Sequence, residues 1–186
     1  MRLRATVPVI RYCPLCAAPV SHRVPPGDTL PRHVCDDCGH IQYENPRLVV
    51  GCICTWEDSI LLCRRAIEPR HGFWTLPAGF MENGETTAQA AARETLEEAC
   101  AVVVVERPFA LVNVARIHQV HLFYLGHLPH PSCAAGSESL EVTLAREDEI
   151  PWSALAFQSV SLCLRQFFAD RQRGAFGFHC ADIEPA

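Results

Sequence analysis

The chain has 186 residues, 49% apolar and 20% charged, a globular composition that excludes disordered and collagen-like classes. Its formal net charge of −5 argues against a dedicated nucleic-acid binder held by a basic face. No apolar run nears the ~18 residues needed to span a bilayer, so no membrane association is expected. The first ten residues, MRLRATVPVI, hold a short apolar stretch broken by Pro8 and no small-residue cleavage site, so no leader is expected either. Of eleven cysteines, four form two C-x-x-C pairs and the rest are scattered, mostly in apolar stretches where a free thiol acts as a small hydrophobe. Together these features point to a reducing cytoplasm.

In chain order, residues 1–45 are rich in Pro, Cys, His and turn formers and show no helical period. The pattern becomes regular after Pro46, which predicts two domains, 1–45 and 46–186. RLVVGCICTW (47–56) reads as a buried strand, and SILLCRR (59–65) as its hairpin partner across a turn at Glu57–Asp58. A loop with Pro69, Gly72, Pro77 and Gly79 follows, holding a short apolar piece around Phe73–Leu76. One helix is predicted over Thr87–Ala99, opened by a capping box of Thr86 and Gln89. AVVVVE, FALVNVARIH, QVHLFYLGHL and LEVTLA read as further strands, and Pro129–Gly136 as a surface loop. A terminal helix is predicted from about Trp152 to Arg171. Strands on both sides of a central helix, with a second helix at the end, describe an α/β/α or α+β layered domain.

Two motifs carry chemistry. Cys13-Pro-Leu-Cys16 and Cys35-Asp-Asp-Cys38 are knuckles 18 residues apart, each able to aim two thiolates at one ion. Four sulfurs leave no open position, so a zinc ion there is structural, and a segment this short needs one. A redox C-x-x-C would sit once in a βαβ unit rather than twice in a turn-rich segment. His22, His33 and His40 lie nearby as surface or supporting residues. Residues 1–45 carry five arginines against four acidic residues, so the ribbon reads as a scaffold without nucleic acid.

The second motif is the helix itself. Ala88, Ala91, Ala92, Thr95, Leu96 and Ala99 make one face of small residues that can pack closely on a sheet. On the other side Glu94, Glu97 and Glu98 crowd one turn, and such pairs destabilise an isolated helix by about 0.2–0.5 kcal/mol each. Arg93 can relieve only one of them, most naturally Glu97 at i+4. From the residues alone both a solvated acidic face and a site for a hard divalent cation stay open.

The stretch GFMENGETTAQAAARETLEEACA resembles the Nudix box, G-x5-E-x7-R-E-U-x-E-E-x-G-U with U apolar. Gly79, Glu85, Arg93, Glu94, Glu97 and Glu98 match at the required spacing. Thr95 stands where the box has an apolar residue, and Cys100 where it has its second glycine. A non-glycine residue in a left-handed exit costs roughly 1–2 kcal/mol. With the ribbon, the GFWTLPAGFMENGE approach and the ESLEV–EIPW tail, nearly the whole chain is similar to zinc-ribbon Nudix hydrolases.

That resemblance implies an α/β/α sandwich and Mg2+- or Mn2+-dependent hydrolysis of a nucleoside diphosphate linked to another moiety. It implies Glu94 and Glu98 as the main carboxylate ligands, Glu97 as a further one, and the Gly79 carbonyl as a backbone ligand. Arg93 would orient the glutamates and Glu85 would steady the box. The base would be Glu98 or Glu138, the latter in GSESLEV on a loop that can close over the metals, with Glu141 as a substitute. Trp74 and Phe80 flank the loop and are candidates to stack a base. The S-Q-P-W-P-F-P-x-S motif of NADH pyrophosphatases has no counterpart after Cys100. VARIHQVHLFY looks instead like a subgroup linked to FAD and ADP-ribose hydrolysis. FAD, cleaved to FMN and AMP, is therefore expected ahead of ADP-ribose, with NADH as the alternative. A reading from another class is a nucleotide-sensing Nudix domain joined to a nucleic-acid-binding ribbon. The strand-rich edges would also allow a homodimer.

Overall fold

The computed structural model describes residues 10–183. Residues 1–9, most of the segment read for a leader, lie outside them. The chain divides into two compact units, Met1–Asn45 and Pro46–Ala186.

The described part of the first unit is a three-stranded antiparallel sheet of β1 (Val20–Arg23), β2 (Arg32–Cys35) and β3 (Ile41–Gln42). Strands of two to four residues are too short to show a period, which is why no strand is predicted there. The buried side chains of this unit among those described are Cys13, Pro25, Val34 and Cys35. That is far too small a core to hold a sheet by burial alone.

The second unit opens with β4 (Arg47–Trp56) and β5 (Ser59–Arg65), hinged at Glu57, whose φ is +50°. Then follow β6 (Trp74–Thr75), β7 (Ala78–Phe80), α1 (Thr87–Ala99), β8 (Val104–Val114) and β9 (Gln119–His127). The unit closes with β10 (Ser139–Ala145), α2 (Gln158–Arg173) and β11 (His179–Asp182). The mixed sheet runs β10-β5-β4-β9-β8-β11, with β6 on β5 and β7 on β4. β4 pairs with β9, and β8 with β11, in parallel; the other pairs are antiparallel.

Period-2 alternation sorts the core. Val50, Cys52 and Cys54 of β4 and Leu61 and Cys63 of β5 pack with Ala90, Ala91 and Ala99 of α1. Ile53, Ile60 and Leu62 point the other way, onto Val160, Leu164 and Phe167 of α2. The result is the α/β/α sandwich, with alanines letting α1 lie close on its face. The predicted capping box is present: Thr86 Oγ1 accepts from the Gln89 N–H (3.2 Å), and Gln89 Oε1 accepts from the Thr86 N–H (2.8 Å).

Two predicted elements differ. The end of AVVVVE and most of FALVNVARIH run as one strand, β8, from Val104 to Val114, whose register shifts between Val105 and Arg107 and again between Pro108 and Ala110. These irregularities accommodate Pro108, which cannot donate to the ladder. The ARI of that stretch leaves the sheet as a 3-10 turn, ended by His118 at φ +54°. The last helix begins at Gln158, since Trp152–Ala154 form a separate 3-10 turn, and Gly174 caps its end at φ +66°. Within its last turn the fully buried Asp170 accepts from the Gly177 N–H (2.9 Å) and meets His179 Nε2 (2.8 Å), tying β11 to α2. No helix among the described residues is long and apolar enough to cross a membrane.

Candidate active site

Arg93 organises the acidic face of α1. Its Nε and Nη2 donate to the two oxygens of Glu85 (3.0 and 2.8 Å), a fork that holds the Glu85 carboxyl down at about 2. Nη1 donates to both Glu94 (2.7 Å) and Glu97 (2.9 Å), and Nη2 also reaches the Phe80 carbonyl (3.1 Å). The expectation that Arg93 relieves a single glutamate is therefore corrected. A planar guanidinium has five donors, and here it serves three carboxylates. Glu85 in turn accepts from the Glu82 N–H (2.7 Å), fixing the turn that leads into the helix.

Glu94 and Glu98 are buried, whereas Glu97 is exposed. Burial raises the Glu94 carboxyl against the pull of Arg93. It pushes Glu98 up to about 8, although Glu98 Oε2 accepts from the Ala78 N–H (3.3 Å). Gly79 on β7 passes directly over Glu94, where any Cβ would collide with the carboxylate. The box glycine thus leaves the Glu94 carboxylate its place, which a Cβ would take, and no left-handed backbone angle calls for it. At the box's two departures the chain adapts locally. Thr95 is fully buried and spends its hydroxyl on the Ala91 carbonyl (2.8 Å). Cys100 takes the left-handed exit at φ +47° with its side chain exposed.

A cavity of about 850 Å³ opens beside this turn of α1. α1 contributes Arg93, Glu94, Glu97 and Glu98 to its wall, and Glu138 joins them from the loop before β10. The charge of Glu138 adds to the upward push on Glu94 and Glu98. A second wall, from β9 and the start of α2, is uncharged: Gln119, His121, Phe123 and Ser159. The His121 ring lies between Ser159 Oγ (2.9 Å from Nδ1) and Gln119 Oε1 (3.0 Å from Nε2), and burial lowers its pKa below the usual value. Arg65 also lines the cavity, braced by the Pro69 carbonyl (2.9 Å) and by the Phe157 ring 5.1 Å away.

The two aromatic candidates separate. Phe80 lines the cavity, 45% exposed, with the Arg47 guanidinium 4.7 Å from its ring centre. Trp74 does not line it. Its strand pairs with β5, and its ring packs against the core beneath α2. Gln119, His121, Ser159 and Arg65 were missed by sequence reasoning. The alternation of Gln119, His121 and Phe123 in HQVHLFY is the signal that could have found the first two, since it puts them on one face of β9.

In the first unit the Sγ atoms of Cys13, Cys16, Cys35 and Cys38 lie within 4.8 Å of one another. Cys13–Cys38, Cys16–Cys35 and Cys16–Cys38 are 3.7, 3.4 and 3.5 Å apart, close to the ~3.8 Å edge of a tetrahedron with ~2.3 Å zinc–sulfur bonds. The Leu15 and Cys38 N–H groups each donate to a knuckle sulfur at 3.4 Å, which favours thiolates. The donors fit zinc. No three carboxylates draw together this closely among the described residues, since Glu94 and Glu97 turn to Arg93 instead. Their hard oxygens beside the bare Gly79 backbone fit a Mg2+-type ion.

The Nudix N-terminal model, a zinc ribbon, matches residues 11–44, and the NUDIX domain model matches residues 45–149. A crystal structure of a NUDIX hydrolase from Nitrosomonas europaea is 45% identical, covers 95% of this chain and all of its own, and superimposes with a TM-score of 0.92. The NUDIX domain of Shewanella oneidensis NrtR complexed with ADP ribose shares the fold at 21% identity, covering 72% of this chain and 91% of its own, with a TM-score of 0.57. Among curated proteins, the NAD-capped RNA hydrolase NudC of Salmonella heidelberg is 36% identical over 88 residues, which is 47% of this chain. The match spans only 32% of that relative's length.

Proposed function

The chain belongs to the NUDIX domain family, and from that premise we propose that it is a divalent-metal-dependent pyrophosphohydrolase. Its substrate in this reading is a nucleoside diphosphate linked to another moiety, and residues 1–45 and 46–186 act as ribbon and hydrolase domain. The observation that carries the reading is one cavity lined both by the glutamates of α1 with Glu138 and by the uncharged Gln119, His121, Phe123 and Ser159. A chain of net charge −5 repels a pyrophosphate unless cations bridge the two.

In this reading Glu94, Glu97, Glu98 and the Gly79 carbonyl hold Mg2+ or Mn2+. A divalent cation neutralises phosphate oxygens and lowers the pKa of water. Arg93 keeps the glutamates aimed, and Glu85 holds Arg93. A carboxylate oxygen of Glu138 takes the proton of the attacking water, with Glu98 as the alternative base. The uncharged wall and Phe80 receive the nucleoside part of the substrate.

FAD and ADP-ribose stand first as substrates, because the NADH-type motif after Cys100 is missing. The NudC relatives favour a second reading, an NAD-type dinucleotide, free or as an RNA cap. That these relatives are NAD-capped RNA hydrolases also removes the ground for excluding nucleic acid: a net negative charge does not bar an RNA held by its cap. The test is a panel of FAD, ADP-ribose, NADH, NAD-capped RNA, nucleoside triphosphates and sugar nucleotides, with Mg2+ and with Mn2+, products read by mass. AMP with FMN from FAD is the expected result. A strong preference for triphosphates with release of pyrophosphate would overturn the reading. No hydrolysis of any substrate, together with salt-sensitive retention of DNA or RNA, would favour a sensor instead.

A further inference from the structure

The loop that carries Glu138 is fastened at both ends. α1 stops at Ala99, and the left-handed Cys100 turns the chain away, leaving the last helical carbonyls without helical partners. The loop supplies them: the Ala134 N–H donates to the Ala99 carbonyl (2.9 Å) and the Gly136 N–H to the Glu98 carbonyl (3.0 Å). Past Glu138 the chain is held again. The Glu138 carbonyl accepts from the Ala66 N–H (2.8 Å), and Ser139 pairs with Arg65 at the start of β10. Glu138 therefore sits on a short bridge between the end of α1 and the end of β5. It does not ride on a free lid.

Gly136 makes the first fastening. A Cβ built on it would overlap the Glu97 carbonyl oxygen and lie 2.9 Å from the Glu97 carbonyl carbon. Both atoms belong to helix backbone, which cannot swing aside. The φ of Gly136 is not in the left-handed region, so an alanine suffers no dihedral strain there and the demand is for space alone. Glu97 and Glu98 are the residues that flank this contact, and both line the cavity with Glu138.

We propose that Gly136 is a positioning residue: its bare backbone docks the loop on the last turn of α1 and so fixes Glu138 relative to the glutamates of that helix. This rests on the reading of Glu138 as the proton acceptor. α1 is seated on the sheet through Ala90, Ala91 and Ala99, so an added methyl displaces the loop rather than the helix. A displacement of about 1 Å at a reacting group can lower a rate on the order of 100-fold.

The test is Gly136→Ala, alone and combined with Glu138→Gln, assayed for kcat, KM and the Mg2+ concentration giving half-maximal rate. Gly136→Ala should lower kcat on the order of 100-fold, with the metal requirement little changed and a lower thermal midpoint from the loop bonds given up. In the Glu138→Gln background the same change should cost nothing further, because the group it misplaces is already gone. Inserting one glycine after Gly136, which adds no side chain, should lower kcat in the same Glu138-dependent way and serves if the alanine variant does not fold. Glu138→Gln with full turnover would overturn the reading of Glu138 and this proposal with it. An impaired Glu138→Gln beside a fully active Gly136→Ala would overturn the proposal alone. So would losses that multiply in the double variant, since these mark a general structural role.

Discussion

Glu98→Gln, and separately Glu94→Gln, should lower turnover by about 10²–10³-fold, the scale on which removing one group that stabilises transition-state charge is felt. The fold should not suffer. Glutamine matches glutamate in shape, and its carbonyl can still accept from the Ala78 N–H at position 98 or from Arg93 at position 94. Glu94, Glu97 and Glu98 repel one another on one turn, and burial already opposes ionisation at Glu98. The thermal midpoint of the metal-free Glu98→Gln protein should therefore equal or exceed that of the parent. Turnover close to normal in both variants at saturating Mg2+ would place the metal elsewhere. Loss of activity together with a lowered midpoint would mean that these glutamates hold the fold rather than the chemistry.

The other large effect concerns the first unit. Structural zinc in a small ribbon supplies about 10–16 kcal/mol at neutral pH, and the few buried side chains here cannot replace it. Cys35→Ser should bring zinc content from about one ion per chain to near zero. Chain cleavage by a protease should then appear between residues 11 and 44, or the protein should aggregate. A well-folded parent protein without zinc on metal analysis would end the structural-site reading. Because a closed sulfur site does no chemistry, withdrawing Mg2+ and Mn2+ should stop turnover while the zinc stays bound.

α1 was legible to the residue, because several local signals agree on its limits. Thr86 and Gln89 mark the start and the chain leaves at Cys100, but the predicted face is turned: Leu96, placed on it, is exposed, while Ala90, left off it, is buried together with Glu94 and Glu98. β4 and β5 were equally plain, bracketed by Pro46 and the turn at Glu57. The acidic wall came with the helix, since its glutamates lie within one turn. The uncharged wall did not. His121 and Ser159 are 38 positions apart and meet only when α2 packs against β9. Arg65 is likewise a surface arginine at the end of a strand until the loop through Pro69 folds back on it. The packing of Trp74 against the core was not legible, because a two-residue strand gives no period from which to tell its core side. For β8, the hydrophobic run showed a break at Pro108, but only the ladder shows that the strand continues through it.

The floor beneath α1 is partly sulfur, and this gives the glutamate-bearing helix a reporter of its own movement. Cys52, Cys54 and Cys63 are buried against its alanines. The Cys54 thiol and burial push Cys52 far from ionising, and burial does the same for Cys63. Thiol reagents attack thiolates that solvent can reach, so the closed protein withholds both the charge and the access. Alkylation of Cys52 or Cys63 can proceed only when the helix lifts from the sheet, and its rate becomes a clock for that opening. Cys100 and Cys180, exposed on the surface, react without waiting and set the zero of the clock. Oxidative damage to the interior is then governed by how often the helix leaves its seat, and a ligand that anchors the helix would also shelter the sulfur beneath it.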